Sequence, residues 1–82
     1  MLWHTYIIRC RDKKLYTGIT NDLKRRLAEH NSGDGCKFTR CRIPVKLLCS
    51  IKSKTRSGAL KKEAAIKGLT REQKLGFIKN LI

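Results

Sequence analysis

Residues 15–33 read LYTGITNDLKRRLAEHNSG and hold several side chains suited to catalysis. Tyr16 lies in a short β-like run, and Arg26 and His30 follow it on a predicted helix. Side chains four residues apart share a helix face, so we expect Arg26 and His30 on the same side. A phenol, a guanidinium and an imidazole can together transfer protons and bind anions. The same residues also fit an ordinary basic surface, on which Arg26 snorkels and His30 packs at the core boundary.

The two adjacent arginines of this stretch are predicted to differ in position. Leu23 and Leu27 define the apolar stripe of a helix over residues 22–31. At about 100° per residue, Arg26 lies roughly 60° from Leu23, at the edge of the buried face. Arg25 points to the far side, into solvent. We therefore expect Arg26, and not Arg25, to lean over the rest of the molecule.

A single carboxylate, Glu63, falls within the apolar arc of a second predicted helix over residues 55–68. A lone carboxylate among apolar side chains costs several kcal/mol unless it is paired or metal bound. Two interpretations stay open: a buried ion pair, with Arg26 as a candidate partner, or a metal ligand. The predicted arc consists of Ala59, Leu60, Ala64 and Ile66, with Lys61 and Lys62 pointing away.

The remaining acidic residues have simpler explanations in turns, helix starts, helix flanks and loops. A metal at Glu63 would therefore have one protein carboxylate and mostly water as ligands. That arrangement suits Mg²⁺ or Mn²⁺ better than Zn²⁺. A site with two metals is not expected from so few acids.

The charge of the chain points to a polyanionic partner. It has 20 Lys and Arg residues against 6 Asp and Glu residues, a formal net charge of +14. Such an excess attracts nucleic acid and makes binding depend strongly on salt. A ribosome-like RNA-binding protein is the alternative that charge alone allows. A membrane-surface role is disfavoured because the charges are spread along the whole chain.

Length and composition predict one small globular domain over residues 1–82. The hydrophobic content of 40% is too high for a disordered tail, and the absence of a long apolar run excludes a transmembrane helix. The N-terminal residues read as a strand rather than a signal peptide. The four cysteines form no CxxC motif, so we expect reduced thiols in a cytoplasmic protein rather than a zinc site.

The hydrophobic pattern predicts the element order ββαβαα. Two strands near residues 3–9 and 15–20 form a hairpin, and Thr20 or Asn21 caps the helix over residues 22–31. A basic glycine-rich loop over residues 32–44, a third strand over 45–51 and a helix over 55–68 follow. A capping box at Thr70–Gln73 opens the last helix. The expected fold is α+β, with a small three-stranded antiparallel sheet flanked by helices. Tyr6 and Tyr16 share a sheet face only if the hairpin turn has an odd number of residues.

The spacing of the polar residues resembles the signature of the GIY-YIG nuclease superfamily over nearly the whole chain. Tyr6 and Tyr16 are ten residues apart, as are Tyr16 and Arg26. The resemblance is strongest to the small single-domain bacterial branch related to the N-terminal nuclease domain of the excision-repair incision subunit. The first triplet, HTY, keeps only its tyrosine, the second is YTG, and Ile19 stands where some relatives have lysine. The residues that carry the resemblance are His4, Thr5, Tyr6, Tyr16, Thr17, Gly18, Arg26, His30 and Glu63.

The resemblance implies a metal-dependent endonuclease that hydrolyses phosphodiester bonds in DNA, in repair or recombination. A catalytically weak or inactive nucleic-acid-binding module is the alternative. It further implies that Glu63 binds one Mg²⁺ or Mn²⁺ ion and that Arg26 holds a nonbridging phosphate oxygen. Tyr16 would be the general base and Tyr6 would position water or phosphate. His30 would relay a proton or hydrogen bond to a tyrosine.

The substrate implied by the resemblance is DNA, with RNA as an alternative, and it would be gripped by the basic loop and the segment before the second helix. Phe38 would either stack on an exposed base or anchor the loop to the core. Phosphate contacts carry no sequence information, so cutting would be weakly selective, structure selective or directed by a protein partner. The predicted nucleic-acid-binding residues are Lys37, Phe38, Arg40, Arg42, Lys54 and Arg56.

Overall fold

A computed structural model describes residues 2–81 and confirms the predicted α+β class. The observed order ββααβαα differs from the prediction by one short helix, α2, inside the basic loop. A single helical turn gives too little periodicity to be seen in such a sequence. The elements are β1 (Trp3–Arg9), β2 (Leu15–Thr20), α1 (Leu23–Ser32), α2 (Lys37–Arg40), β3 (Lys46–Ser53), α3 (Arg56–Lys67) and α4 (Arg71–Leu81).

The three strands form an antiparallel sheet in the order β2-β1-β3. Arg9 pairs with Leu15, so residues 10–14 make a five-residue connection between β1 and β2. This odd length meets the condition for the two tyrosines to share a face. Tyr6 lies opposite Gly18, and Tyr16 lies opposite Ile8 on the same face.

Side chains alternate along β1 and supply a core to each face of the sheet. On one face Tyr6 and Ile8 pack with Leu23 and Leu27 of α1. On the other face Ile7 packs with the buried isoleucines of α3 and α4. Burial of each isoleucine stabilises the fold by about 1.5–3 kcal/mol. Because β1 supplies buried residues to both faces, it is central to both layers.

Helix α1 is held at both ends by local hydrogen bonds. The Asp22 carboxylate accepts the Arg25 backbone N–H at 3.1 Å, so Asp22 is the cap. The predicted caps Thr20 and Asn21 are wrong, because the Thr20 hydroxyl instead accepts the Asp22 backbone N–H at 3.1 Å. At the other end Gly33 adopts a φ of 88°, a left-handed conformation that glycine enters without steric cost.

Helix α3 buries a narrower stripe than its sequence predicts. Ala59 and Ile66 are buried, but Leu60 and Ala64 are exposed, contrary to the predicted arc. Lys62 was predicted to point away, yet it is partly buried and donates to the backbone oxygen of Lys52 at 2.9 Å. A flat sheet touches a helix along only one row of side chains, so the outer members of a wide arc remain in solvent.

Helix α4 begins with the predicted capping box. The backbone N–H of Thr70 donates to the Gln73 side chain at 2.9 Å, and the Gln73 N–H donates to the Thr70 hydroxyl at 3.2 Å. These bonds satisfy two donors that a helix start leaves without partners. None of the helices within residues 2–81 combines the length and apolarity needed to cross a bilayer.

Candidate active site

A chain of buried hydrogen bonds joins β1, α1 and α2. The Tyr6 hydroxyl lies 2.9 Å from His30 Nε2, and His30 Nδ1 lies 2.8 Å from the Thr39 hydroxyl. All three side chains are almost completely buried. Burial is the main reason that the pKa of His30 is lowered, and the positive charge of Arg26 lowers it further. The imidazole is therefore neutral near pH 7, and both of its ring nitrogens are hydrogen-bonded, one as a donor and the other as an acceptor.

Two glycines allow the close approach of this chain. Gly18 faces Tyr6 across the sheet, and a Cβ atom there would lie 2.6 Å from the Tyr6 hydroxyl oxygen and 3.1 Å from the Tyr16 ring. A Cβ atom on Gly35 would lie 2.8 Å from the Cα of His30. Any larger residue at either position would displace a tyrosine or the imidazole. Packing between the two tyrosine side chains thus explains why Gly18, the third residue of the YTG triplet, is a glycine.

Tyr16 borders the same cluster but is less buried than Tyr6. Its ring centroid lies 6.4 Å from that of Tyr6 and 5.4 Å from that of His30. Burial, followed by hydrogen bonding to Cys36, raises the pKa of Tyr16 to about 12. The phenol is consequently protonated at neutral pH in the protein alone, and a further positive charge is needed to favour the phenolate.

Arg26 leans over the sheet as the helical wheel predicts. Its guanidinium donates to the Glu29 carboxylate at 3.2 Å and to the backbone oxygen of Gly35 at 3.1 Å. Burial raises the pKa of Tyr6, and Arg26 opposes this rise through hydrogen bonding and charge. The guanidinium is thus fixed beside the phenol while part of its donor fork stays open, since Arg carries five N–H groups.

Glu63 lies on α3 and acts on Tyr6 through its charge. Its negative charge is among the influences that raise the pKa of Tyr6, so the acid lies within electrostatic range of the phenol. The side chain is 20% exposed, and its oxygen lies 3.7 Å from the ammonium of Lys67. The ion pair with Arg26 that the sequence left open is not formed, because Arg26 is engaged by Glu29. The exposed pair with Lys67 is weak and leaves Glu63 able to exchange partners.

Four of the five predicted catalytic residues lie together, namely the two tyrosines, Arg26 and His30. Glu63 lies on α3, which packs on the opposite face of the sheet, and it is linked to them through the effect of its charge on Tyr6. Tyr6 and Tyr16 come from β1 and β2, Arg26 and His30 from α1, and Glu63 from α3. Within residues 2–81, no cluster of three or more His, Cys, Asp and Glu residues forms a metal cage. A hard cation that keeps most of its water molecules can be held by one carboxylate of the protein. Glu63 therefore fits Mg²⁺ or Mn²⁺.

The predicted nucleic-acid-binding residues occupy two places. Lys37 and Arg40 are exposed on α2, and Lys54 and Arg56 are exposed between β3 and α3. Exposed cations in such segments are available for phosphate contacts. Arg56 also lies over the ring of Trp3, 5.9 Å from its centroid.

Phe38 and Arg42 anchor the basic loop near the active site. The Phe38 ring stacks on Tyr16 with centroids 5.7 Å apart, and it remains 36% exposed. Arg42 lies 4.5 Å from the Phe38 centroid, donates to the Phe38 backbone oxygen at 2.6 Å and pairs with Asp12 at 3.0 Å. The anchoring interpretation of Phe38 thus has direct structural support, and Arg42 is largely engaged within the protein.

The sequence interpretation missed three residues that support the cluster: Gly35, Cys36 and Thr39. Burial disfavours the Cys36 thiolate, but hydrogen bonds with Thr39 and Tyr16 outweigh it and lower the pKa of this thiol. Thr39 lies nine positions after His30 and on a different helix, so no periodic pattern links them. The glycines of the loop are the one sequence feature that hints at close packing there.

Known proteins with similar sequences and structures share this arrangement of elements. The chain is 51% identical over 79 residues to UPF0213 protein YsiG of Lactococcus lactis, a match covering 95% of this chain and 76% of that protein. The solution NMR structure of protein EF2693 from E. faecalis is 43% identical, with a TM-score of 0.68 and coverage of 99% and 86% of the two chains. The NMR structure of UPF0213 protein BH0048 from Bacillus halodurans is 35% identical, with a TM-score of 0.63 and coverage of 96% and 84%.

Comparison with protein families gives the broader relationship. Residues 2–76 match the GIY-YIG catalytic domain. The matched segment includes both tyrosines, Arg26, His30 and Glu63. Because the match extends over most of the 82 residues, this protein belongs to the GIY-YIG family.

Proposed function

We propose that this protein is a divalent-metal-dependent endonuclease that hydrolyses phosphodiester bonds in DNA. The observation that supports the proposal is the closeness of two phenols, a guanidinium and a neutral imidazole, with the charge of Glu63 within range of Tyr6, in a protein of net charge +14. A protein that only binds nucleic acid gains nothing from Glu63 in this place, because a carboxylate repels phosphate. Membership of the GIY-YIG family supports the same reaction class.

Arg26 is the proposed phosphate ligand. Its bonds to Glu29 and to the backbone of Gly35 orient the guanidinium before substrate arrives. The remaining N–H groups can hold a nonbridging phosphate oxygen, whose negative charge grows during attack by water. A donor oriented in advance stabilises this charge without reorganisation during the reaction.

Tyr16 is the proposed general base, because it is the more accessible of the two phenols. Tyr6 is 1% exposed and hydrogen-bonded to His30, so it fixes the position of the imidazole beneath Tyr16. Arg26 lowers the pKa of Tyr16, although burial keeps the value at about 12 in the protein alone. When bound at Glu63, a Mg²⁺ or Mn²⁺ ion would supply Lewis-acid stabilisation and favour the ionised phenol.

The biological setting of the proposal is cleavage during DNA repair or recombination in the cytoplasm. The likeness to an excision-repair nuclease domain supports this setting, and RNA is the alternative substrate. Basic residues on α2 and before α3 would contact phosphates, which carry no base sequence. Selectivity is then expected from the shape of the DNA or from a protein partner.

The proposal is tested by incubating the protein with supercoiled plasmid and with branched DNA, in Mg²⁺, in Mn²⁺ and with chelator. We expect nicking that needs the metal and that Glu63→Gln and Arg26→Ala each abolish. Glu72→Gln is the control, because it removes the same charge from an exposed position in the first turn of α4. Cleavage by Glu63→Gln at the wild-type rate would refute the assignment. Binding without cleavage by the wild type would identify a nucleic-acid-binding module instead.

A further inference from the structure

A second cationic feature lies next to the candidate active site. It is a hollow of about 210 Å³ at the start of β2, between α2 and α4. Its lining residues are Lys14, Leu15, Phe38, Arg71 and Lys74. Arg71 and Lys74 lie one turn apart on α4, and the fold brings Lys14, which is far away in sequence, to the same place.

The charges around this hollow lack acidic partners. Among the salt bridges of residues 2–81, none involves Lys14, Arg71 or Lys74. Asp12, two residues from Lys14, is paired with Arg42 at 3.0 Å. Like charges that converge without a carboxylate repel one another, and a bound anion relieves that repulsion.

The apolar wall of the hollow connects it to the active site. Phe38 lines the hollow, stacks on Tyr16 and stays 36% exposed. Leu15, the neighbour of Tyr16 on β2, lines it too. An aromatic ring beside unpaired cations is the combination that binds single-stranded nucleic acid, because the ring contacts the base and the cations contact the phosphates.

We propose that this hollow binds a nucleotide of single-stranded DNA that flanks the bond to be cut. Arg71, Lys74 and Lys14 contact its phosphates, and its base packs against the exposed part of Phe38, whose ring also contacts Tyr16 and Arg42. The inference rests on the proposed endonuclease function for the identity of the ligand. A paired base inside a duplex is stacked on both sides, so the hollow favours a strand that is unpaired near the cleavage site.

A second hollow provides a matched control. It measures about 190 Å³, and Arg9, Arg11, Lys13 and Lys46 line it, but no aromatic residue does. The double substitution Arg11→Gln/Lys46→Gln removes one Arg and one Lys there. Arg71→Gln/Lys74→Gln removes the same two residue types from the proposed site. Both double variants therefore have equal net charge, and only the location of the lost charges differs.

The test is the fluorescence anisotropy of a labelled 12-nucleotide oligothymidylate, measured with chelator at several salt concentrations. We expect Arg71→Gln/Lys74→Gln to weaken binding about tenfold or more and to reduce the slope of log K against log salt by about 1.4. The control variant should lose no more than about threefold. Equal losses in both variants, or unchanged binding by the site variant, would overturn the proposal.

The outcome of this test can be distinguished from the outcome of the test of the proposed function. Anisotropy in chelator reads binding without cleavage, so a protein that never cuts DNA can still show the site. If the wild-type protein cuts plasmid but the site variant binds the oligonucleotide normally, the proposed binding site is refuted and the proposed nuclease function is not. If the site variant fails to fold, amide shifts of wild-type protein titrated with tetrathymidylate decide: shifts at Lys14, Phe38 and Arg71 support the site, and their absence overturns it.

Discussion

Replacing Thr39 by valine tests the buried hydrogen-bonded chain beneath the candidate site. The Thr39 hydroxyl lies 2.8 Å from His30 Nδ1, and neither side chain is accessible to solvent. Valine has nearly the shape of threonine but offers no hydrogen-bonding group. Thr39→Val therefore removes the partner of a buried ring nitrogen while the surrounding packing stays the same.

The expected loss of stability follows from that unpaired nitrogen. Leaving a buried polar group without a partner costs about 1–3 kcal/mol. For a domain of this size, each kcal/mol lowers the melting temperature by about 4–8 °C. Since small domains are stable by only about 5–15 kcal/mol, the Thr39→Val variant should be measurably less stable than the wild type but still folded. The Tyr6–His30 bond should also loosen, because Thr39 no longer selects one tautomer of the imidazole.

Urea unfolding followed by circular dichroism measures the free energy of unfolding, and ¹⁵N shifts of His30 report its tautomer. Thr39→Ser should recover most of the loss, since serine retains the hydroxyl. Thr17→Val is the control: the Thr17 hydroxyl is buried without a hydrogen-bond partner in the described structure, so valine there should be neutral or stabilising. If Thr39→Val matched the wild type within about 0.5 kcal/mol, with unchanged His30 shifts, the chain would not hold the site together.

Three more predictions follow from the geometry and the shifted pKa values. Single-turnover cleavage should accelerate with pH from 6 to 9.5, because the pKa of Tyr16 is about 12 in the metal-free protein and the phenolate fraction grows with pH. Tyr16→Phe should remove the activity, and a rate that does not rise over this range would point to His30, whose pKa is lowered by burial, as the base. Gly18→Ala should cost about 1–3 kcal/mol and impair cleavage, since its Cβ would lie 2.6 Å from the Tyr6 hydroxyl oxygen; a fully stable and active variant in urea and plasmid assays would contradict this packing. Finally, burial holds the pKa of His30 below its ordinary value of 6.5, so the unfolded chain binds more protons and the free energy of unfolding should fall as pH drops below about 6.5. Urea midpoints at pH 7.5 and 5 measure this, and His30→Asn should show a smaller difference between them.

Sequence alone determined the features that depend on local pattern. Short runs rich in aromatic and β-branched residues identified the strands, and the capping box at Thr70 located the start of α4. The helical wheel placed Arg26 and His30 on the inner side of α1. These predictions succeed because strand alternation, helix periodicity and end capping act over only a few residues. The spacing of Tyr6, Tyr16 and Arg26 also indicated the family.

Tertiary structure decided which polar groups meet. The Tyr6–His30 bond joins residues 24 positions apart, and the Thr5 hydroxyl donates to the backbone oxygen of Ala59 across 54 positions. Periodicity within one element cannot specify such pairs, because they depend on how helices are seated on the sheet. Glu63 illustrates both cases: its partner Lys67 lies one turn away on the same helix, as local periodicity allows, whereas its electrostatic influence on Tyr6 depends on the placement of α3. The cationic hollow beside Phe38 likewise exists only once α4 is packed against the hairpin.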